Sequence, residues 1–185
     1  MPSPKEVRPA HPQTSEMKIR MLDGADAVQF SRLRLEALQQ EPEAFGASAE
    51  EHRSMTLDMI MRRLGSGSEG GNFVLGAMVD GQLVGMAGFY QQEGLKSRHK
   101  GHVWGVYVTK EWRRKGVARR ILSELIDRVR GRSEVEHLLL AVAVGQKPAK
   151  RVYESLGFQV YGREPHAIKL GDKYVDEDLM VLHLR

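Results

Sequence analysis

The chain has 185 residues, 41% of them hydrophobic, which suits one domain with a sizeable core. It contains no cysteine, which excludes disulfides, cysteine-ligated zinc and a thiol nucleophile and fits a reducing compartment. The net charge of +4 is modest, but basic residues cluster at residues 113–120 and again at Lys147, Lys150 and Arg151, a grouping that a polyanionic ligand or a solvated basic face would explain.

Residues 1–16 carry Pro2, Pro4, Pro9 and Pro12 among polar residues, with no apolar run that would make a signal peptide or membrane span. The expectation is a disordered tail, residues 1–16, before a single domain, residues 17–185, in a cytoplasmic protein. Met17 stands directly before the first strand-like segment, so the tail reads as a start-site extension. A short strand is predicted at residues 18–22 and a helix at residues 25–40, with Asp23 as its cap and Pro42 beyond its end. The apolar positions of that helix are spread around it and define no clear buried face. A second helix is predicted at residues 55–64, closed by a glycine-serine loop that runs to Gly71.

Two strands, residues 73–79 and 82–90, meet at Asp80-Gly81, a strong hairpin signal. A polar loop leads to a strand at residues 103–108, where Gly105 marks a bulge or a close backbone approach. The next helix sets Val117, Ile121, Leu122, Leu125, Ile126 and Val129 on one face. Residues 137–144 are nearly all apolar, as in a strand buried on both faces and paired in parallel. A helix begins near Pro148 and ends at Gly157, and strands at 158–161, 167–170 and 179–184 form a C-terminal antiparallel section with a turn at Gly171-Asp172. The predicted architecture is α/β: a mixed central sheet of about seven strands with helices on both faces.

The join between the strand at 103–108 and its helix is a built anion site. Trp112-Arg113-Arg114-Lys115-Gly116-Val117-Ala118-Arg119 supplies a tight glycine turn, the free N–H groups of a first helical turn, and several cations. It lacks the lysine-serine/threonine ending that grips a nucleoside triphosphate, and it lacks the first glycine of a dinucleotide fingerprint. The Arg-x-x-Gly-x-Ala pattern resembles the pyrophosphate loop of the GNAT family of acetyl-CoA-dependent N-acetyltransferases. Downstream, the segment from Gln146 to Phe158 is similar to that family's second signature, Asn-x-x-Ala-x-x-x-Tyr-x-x-x-Gly-Phe, with Gln146 replacing asparagine. Residues 33–38 and 42–46 resemble the amino-terminal region of many bacterial members.

The resemblance implies a GNAT fold and direct acetyl transfer from acetyl-CoA to a primary amine in a ternary complex. It places the pyrophosphate on Arg113, Arg114, Lys115, Gly116, Val117, Ala118 and Arg119, and the pantetheine arm along the main chain of Val106, Tyr107 and Val108 and past Gln146. Tyr153 then stands near the cofactor sulfur as general acid. The position from which many members supply a base corresponds to His102, whose ordinary pKa near 6.5 suits a proton relay; Glu36 and His166 are further acceptor-site candidates. No metal is implied, since the histidines show no ligand-like spacing. The acceptor, a small molecule, peptide or protein amine, is left open by the segments that would choose it, and so is the oligomeric state, although members are often homodimers. Competing readings are a non-catalytic acyl-CoA sensor and a nucleic-acid-binding domain; the second lacks an aromatic stacking series beside its basic residues.

Overall fold

A computed structural model of the protein describes residues 16–65 and 71–185. The tail expected over residues 1–16 lies outside the described residues apart from Glu16, as do residues 66–70 of the glycine-serine loop. Strand β1, Lys18–Met21, enters a 3-10 turn, Gly24–Asp26, that runs into helix α1, Ala27–Gln40. The Asp23 carboxylate accepts the Ala25 N–H at 2.8 Å, and the Asp26 carboxylate accepts the Asp23 N–H at 3.0 Å. This reciprocal capping holds the first residues in the tighter turn, so α geometry begins two residues later than the sequence suggests.

Helix α1 buries Ala27, Phe30, Leu33, Arg34, Ala37 and Leu38, a regular stripe at helical spacing. One of its members is an arginine, and that is why the apolar residues alone outlined no face. Helix α2, Ala49–Ser54, is not anticipated from the sequence, although Ser48 and Glu51 form a capping box at its start. Helix α3 follows at Leu57–Gly65.

Strands β2, Phe73–Val79, and β3, Gln82–Gln91, form the expected hairpin. Asp80 at φ 49° and Gly81 at φ 78° are both left-handed, as a two-residue primed turn requires. Strand β4, Lys100–Val108, begins three residues earlier than predicted and is followed by helix α4, Val117–Arg130. Strand β5, His137–Ala143, helix α5, Lys147–Ser155, and the hairpin strands β6, Gln159–Leu170, and β7, Lys173–His183, complete the chain.

The sheet has seven strands in the order β1-β2-β3-β4-β5-β7-β6. Neighbours are antiparallel except β4 and β5. Helices cover both faces. On one, α4 seals a core that includes Leu75, Ala87, Phe89, Val103, Ile121 and Leu138. On the other, α1 and α3 seal a second core with Phe30, Leu33, Ile60, Val74, Met86 and Tyr107.

Two expectations are corrected here. Strand β5 is not buried on both faces: Leu139 is half-buried and Ala141 exposed, because the core under α1 and α3 draws on β2, β3 and β4 and takes no residue of β5. The C-terminal section is one long hairpin rather than three short strands. Pro165 and the left-handed His166, φ 56°, are absorbed into β6 by a register shift between Glu164 and Ile168, which an edge strand tolerates because one side of it has no ladder to break.

Candidate active site

The loop before α4 is shaped by backbone conformation. Arg114 and Gly116 both lie in the left-handed region, at φ 63° and 75°, and Gly116 serves as the helix N-cap without a capping side chain. A Cβ on Gly116 would meet nothing within 4 Å, so the glycine answers to torsion and not to space. Among the described residues, no backbone or side-chain acceptor takes the N–H groups of residues 114–119. Such a concentration of donors at the positive end of a 14-residue helix is a strong anion site.

The cations divide into two groups. Arg113 turns back into the protein: its Nε donates to the Val108 carbonyl at 3.0 Å, its Nη1 to Glu41 at 2.8 Å, and its guanidinium lies 5.4 Å from the Tyr107 ring centre. Lys115 packs its ammonium 4.5 Å from the Trp112 ring centre. Arg114, Lys115, Arg119 and Arg120 stay exposed, and none of them has a carboxylate partner among the described residues.

Beside this loop the sheet splits. The parallel ladder of β4 and β5 consists of Lys100 with His137, Gly101 with Leu138, and His102 with Leu139, and it ends there although the strands run on to Val108 and Ala143. Just past the split, β4 carries a bulge. Gly88 pairs with Trp104 and Met86 with Tyr107, so Gly105 and Val106 together face one residue of β3, with Gly105 at φ 63°. The extra residue bends β4 away from β5 and leaves main-chain groups of both strands facing a wedge. Across its mouth, Glu41 accepts from Arg113 and, at 3.2 Å, from Nε2 of Gln146. Sequence reasoning missed Glu41, because its partners are 72 and 105 residues away and nothing local marks it.

Tyr153 on α5 is buried, its ring edge-on to Phe158 at 6.1 Å between centres. Burial raises its pKa well above the ordinary tyrosine value, so the phenol holds its proton, and its hydroxyl has no hydrogen-bond partner among the described residues. Tyr107 contrasts with it. Its hydroxyl donates to Glu36 at 3.0 Å and faces Gln40 at 3.2 Å, and burial together with the Glu36 carboxylate pushes its pKa up to about 12.

His102 is the last residue of the parallel ladder. Its ring stacks on Tyr90 at 4.7 Å, and its Nε2 lies 3.0 Å from the Gln92 amide nitrogen, which makes that ring nitrogen the acceptor. Burial, and then the charge of Lys100, lowers its pKa, so the imidazole is neutral at pH 7. Two residues further along β4, on the same sheet face, is Trp104. Glu36 is committed to Tyr107, and His166 lies on the outermost strand, its ring stacked on Tyr174 at 4.5 Å and its backbone N–H given to the Asp176 carboxylate.

The α1 side of the bulge holds a second residue that sequence reasoning passed over. Arg34 is 9% exposed, and its buried Nη1 has no hydrogen-bond partner among the described residues. A Cβ on Gly105 would lie 3.5 Å from that nitrogen. Burial, with the nearby charge of Arg63 adding to it, pulls the Arg34 pKa down to about 10.

A seven-stranded mixed sheet split between β4 and β5, with a donor-rich helix start at the open end, is the architecture that the two sequence signatures imply. The family model described as the acetyltransferase (GNAT) family matches residues 33–158, and the chain belongs to that family. Members use acetyl-CoA as the acyl donor. Among curated proteins, the chain is 31% identical over 101 residues to the L-amino acid N-acetyltransferase AaaT of Escherichia coli, covering 54% of this chain and 61% of that protein. It is 34% identical over 90 residues to an N-alpha-acetyltransferase of Saccharolobus solfataricus, covering 45% and 54%. The matches thus span less than two thirds of either relative. Among solved structures, yncA of Salmonella typhimurium, a proposed acetyltransferase solved with its cofactor acetyl-CoA, superposes with a TM-score of 0.81 at 25% identity, covering 92% and 95% of the two chains. A GNAT acetyltransferase of Streptococcus pneumoniae gives 0.82 at 19% identity, covering 91% and 99%, a likeness of fold.

Proposed function

We propose that this protein transfers an acetyl group from acetyl-CoA directly to a primary amine, with both substrates bound at once. The observation that carries this reading is the wedge: a parallel ladder that stops at His102 directly beside a run of free N–H groups at the start of α4. A pyrophosphate fits those donors and the exposed Arg114, Lys115 and Arg119, and an extended arm bearing amides fits the unpaired main chain of Val106 and Val108. Arg113 and Gln146 frame the mouth through Glu41 and would contact the arm there.

Amide formation from a thioester makes a C–N bond, breaks a C–S bond and moves two protons. The attacking amine must lose one proton and the departing thiolate must gain one. Tyr153, held protonated and with its hydroxyl uncommitted, is the donor to the thiolate. His102, held neutral, is the base once its Nε2 exchanges the Gln92 amide for the incoming amine or a water. A backbone N–H beside the Gly105 bulge donates to the thioester oxygen. The absence of cysteine from the whole chain removes a cysteine acyl-enzyme from consideration. One curated relative is named for N-acetylation of L-amino acids and the other for N-alpha-acetylation, which supports an amine acceptor for this chain. Among the described residues, no helix is long and apolar enough to cross a membrane, in keeping with the cytoplasmic location we propose.

Calorimetric titration with acetyl-CoA at two salt concentrations tests the reading without any choice of acceptor. One saturable site, weakened by salt because phosphates meet cations, is the expected result. A folded protein with no such site would overturn it.

A further inference from the structure

We propose that Arg34 is a specificity-determining residue that binds the carboxylate of the acceptor, so that the acceptor is a free α-amino acid. The inference rests on the acetyl-transfer reading above and deepens it.

Arg34 is anomalous within its own helix. It occupies a position in the buried stripe of α1 between Phe30 and Ala37, where an apolar side chain would complete the core. Its guanidinium instead lies 4.7 Å from the ring centre of Phe45 and 5.9 Å from that of Trp104, both half-buried. Arginines elsewhere in the fold show what a matched cation looks like here: Arg20 grips Asp26 through two nitrogens at 2.6 and 2.7 Å, and Arg163 meets the buried Asp178 at 2.8 Å. Among the described residues Arg34 has no such partner, and the one charge acting on it is a second cation, Arg63, which itself lies over Trp104 at 4.6 Å. His52, next in the cluster, is neutral and turned to Ser31.

A desolvated cation facing another cation is unfavourable in the free protein, and the fold keeps it. An anion arriving with a ligand would match it, and a guanidinium suits a carboxylate through two parallel hydrogen bonds. Its location sets which ligand. Arg34 Nη1 sits against Gly105, on the bulge that turns β4 away from β5, and on the same face as Trp104 and His102. A carboxylate held there would be close to the point of transfer, and a free α-amino acid, whose amine is one carbon from its carboxylate, has that compactness. A peptide or protein amino terminus presents a neutral amide in the same place.

The test compares the twenty L-amino acids with their α-carboxamides, at saturating acetyl-CoA, by thiol release, for the full-length protein and for Arg34→Met and Arg34→Lys. The carboxamide's amine is less basic and more of it is neutral, so a preference for the free acid does not come from proton availability. We expect one or more free amino acids to exceed their carboxamides by about a hundredfold in kcat/KM. Arg34→Met erases that preference through KM, Arg34→Lys restores part of it, and the melting temperature of the ligand-free Met variant is unchanged or higher. Equal use of acid and amide by the native protein overturns the assignment. So does an equal loss of kcat for both in Arg34→Met, which would place the cation on the thioester oxygen, or a fall in melting temperature with both activities lost together, which would make it structural. Acetyl-CoA titration of the same proteins separates the two failures. Normal binding without an acid preference rejects only the role of Arg34, whereas no binding rejects acetyl transfer and the carboxylate anchor with it.

Discussion

Tyr107 lies on β4 at the bulge and Tyr153 on α5, and their hydroxyls have different fates. Tyr107 spends its proton on Glu36 and Gln40, which ties β4 to α1, while Tyr153 keeps a proton that no group among the described residues takes. A general acid must be protonated before the reaction and free to give the proton during it, and only Tyr153 meets both conditions. Tyr153→Phe is therefore expected to lower kcat on the order of a hundredfold while leaving the acetyl-CoA affinity within about twofold, as read by steady-state thiol release and by calorimetry. A variant with native turnover would remove Tyr153 from the chemistry. Of the residues at this scale, Tyr153 was legible in the sequence through its place in a thirteen-residue signature. Glu41 and Arg34 were not, since the meaning of each comes from groups that are distant along the chain or from the lack of one.

At the scale of elements, the decisive joint is the passage from β4 to α4. Its glycine sits at φ 75° with open space around it, so replacing Gly116 with alanine adds no clash and costs only the torsional preference, about 1 kcal/mol. The loop can relieve that cost by rotating its peptides, which turns N–H groups away from their common focus. Gly116→Ala is expected to weaken acetyl-CoA binding about tenfold or more by calorimetry, with a melting temperature lowered by only a few degrees. Undiminished binding would show that the donors do not hold the pyrophosphate. The helix start and its glycine were legible because turn and cap chemistry are local. The wedge was only half legible. Gly105 announced an irregularity, but the end of the ladder at His102 depends on β5, more than thirty residues further on.

Across the whole molecule, the titrating groups act mostly in one direction. His52 and His102 are held neutral, chiefly by burial, and their pKa values are lowered. Below the ordinary histidine pKa of about 6.5 the unfolded chain takes up protons that the folded one refuses, so their contribution is complete above that pH and is lost as the pH falls. Asp26, bonded to Arg20, and Asp178, bonded to Lys150 and Arg163, also have lowered pKa values, and their contribution disappears only below about pH 4. Glu177, raised by burial and then by Glu164, works the opposite way and favours the fold as it protonates. The expected profile is a melting temperature that is level from pH 7 to 8, begins to fall near pH 6.5 and falls again below about pH 4, measured by scanning calorimetry in matched ionic strength. A melting temperature that rises between pH 7 and 5.5 would contradict it.

Elements whose cause is local can be read without the fold: the Asp80-Gly81 hairpin, the amphipathic α4, the anion-ready start of that helix, and through two ordered signatures the family. The sequence could not determine which faces of the sheet are covered or where neighbouring strands part. Strand β5 read as buried on both sides because hydrophobicity records what a residue tolerates, while burial depends on which helices arrive above it. In the same way nothing in the sequence sets Arg34 apart on a helix whose apolar positions define no clear face. Only packing, which sets α1 against β4 and brings Gly105, Phe45 and Trp104 around that guanidinium, makes it a buried charge that meets no anion among the described residues.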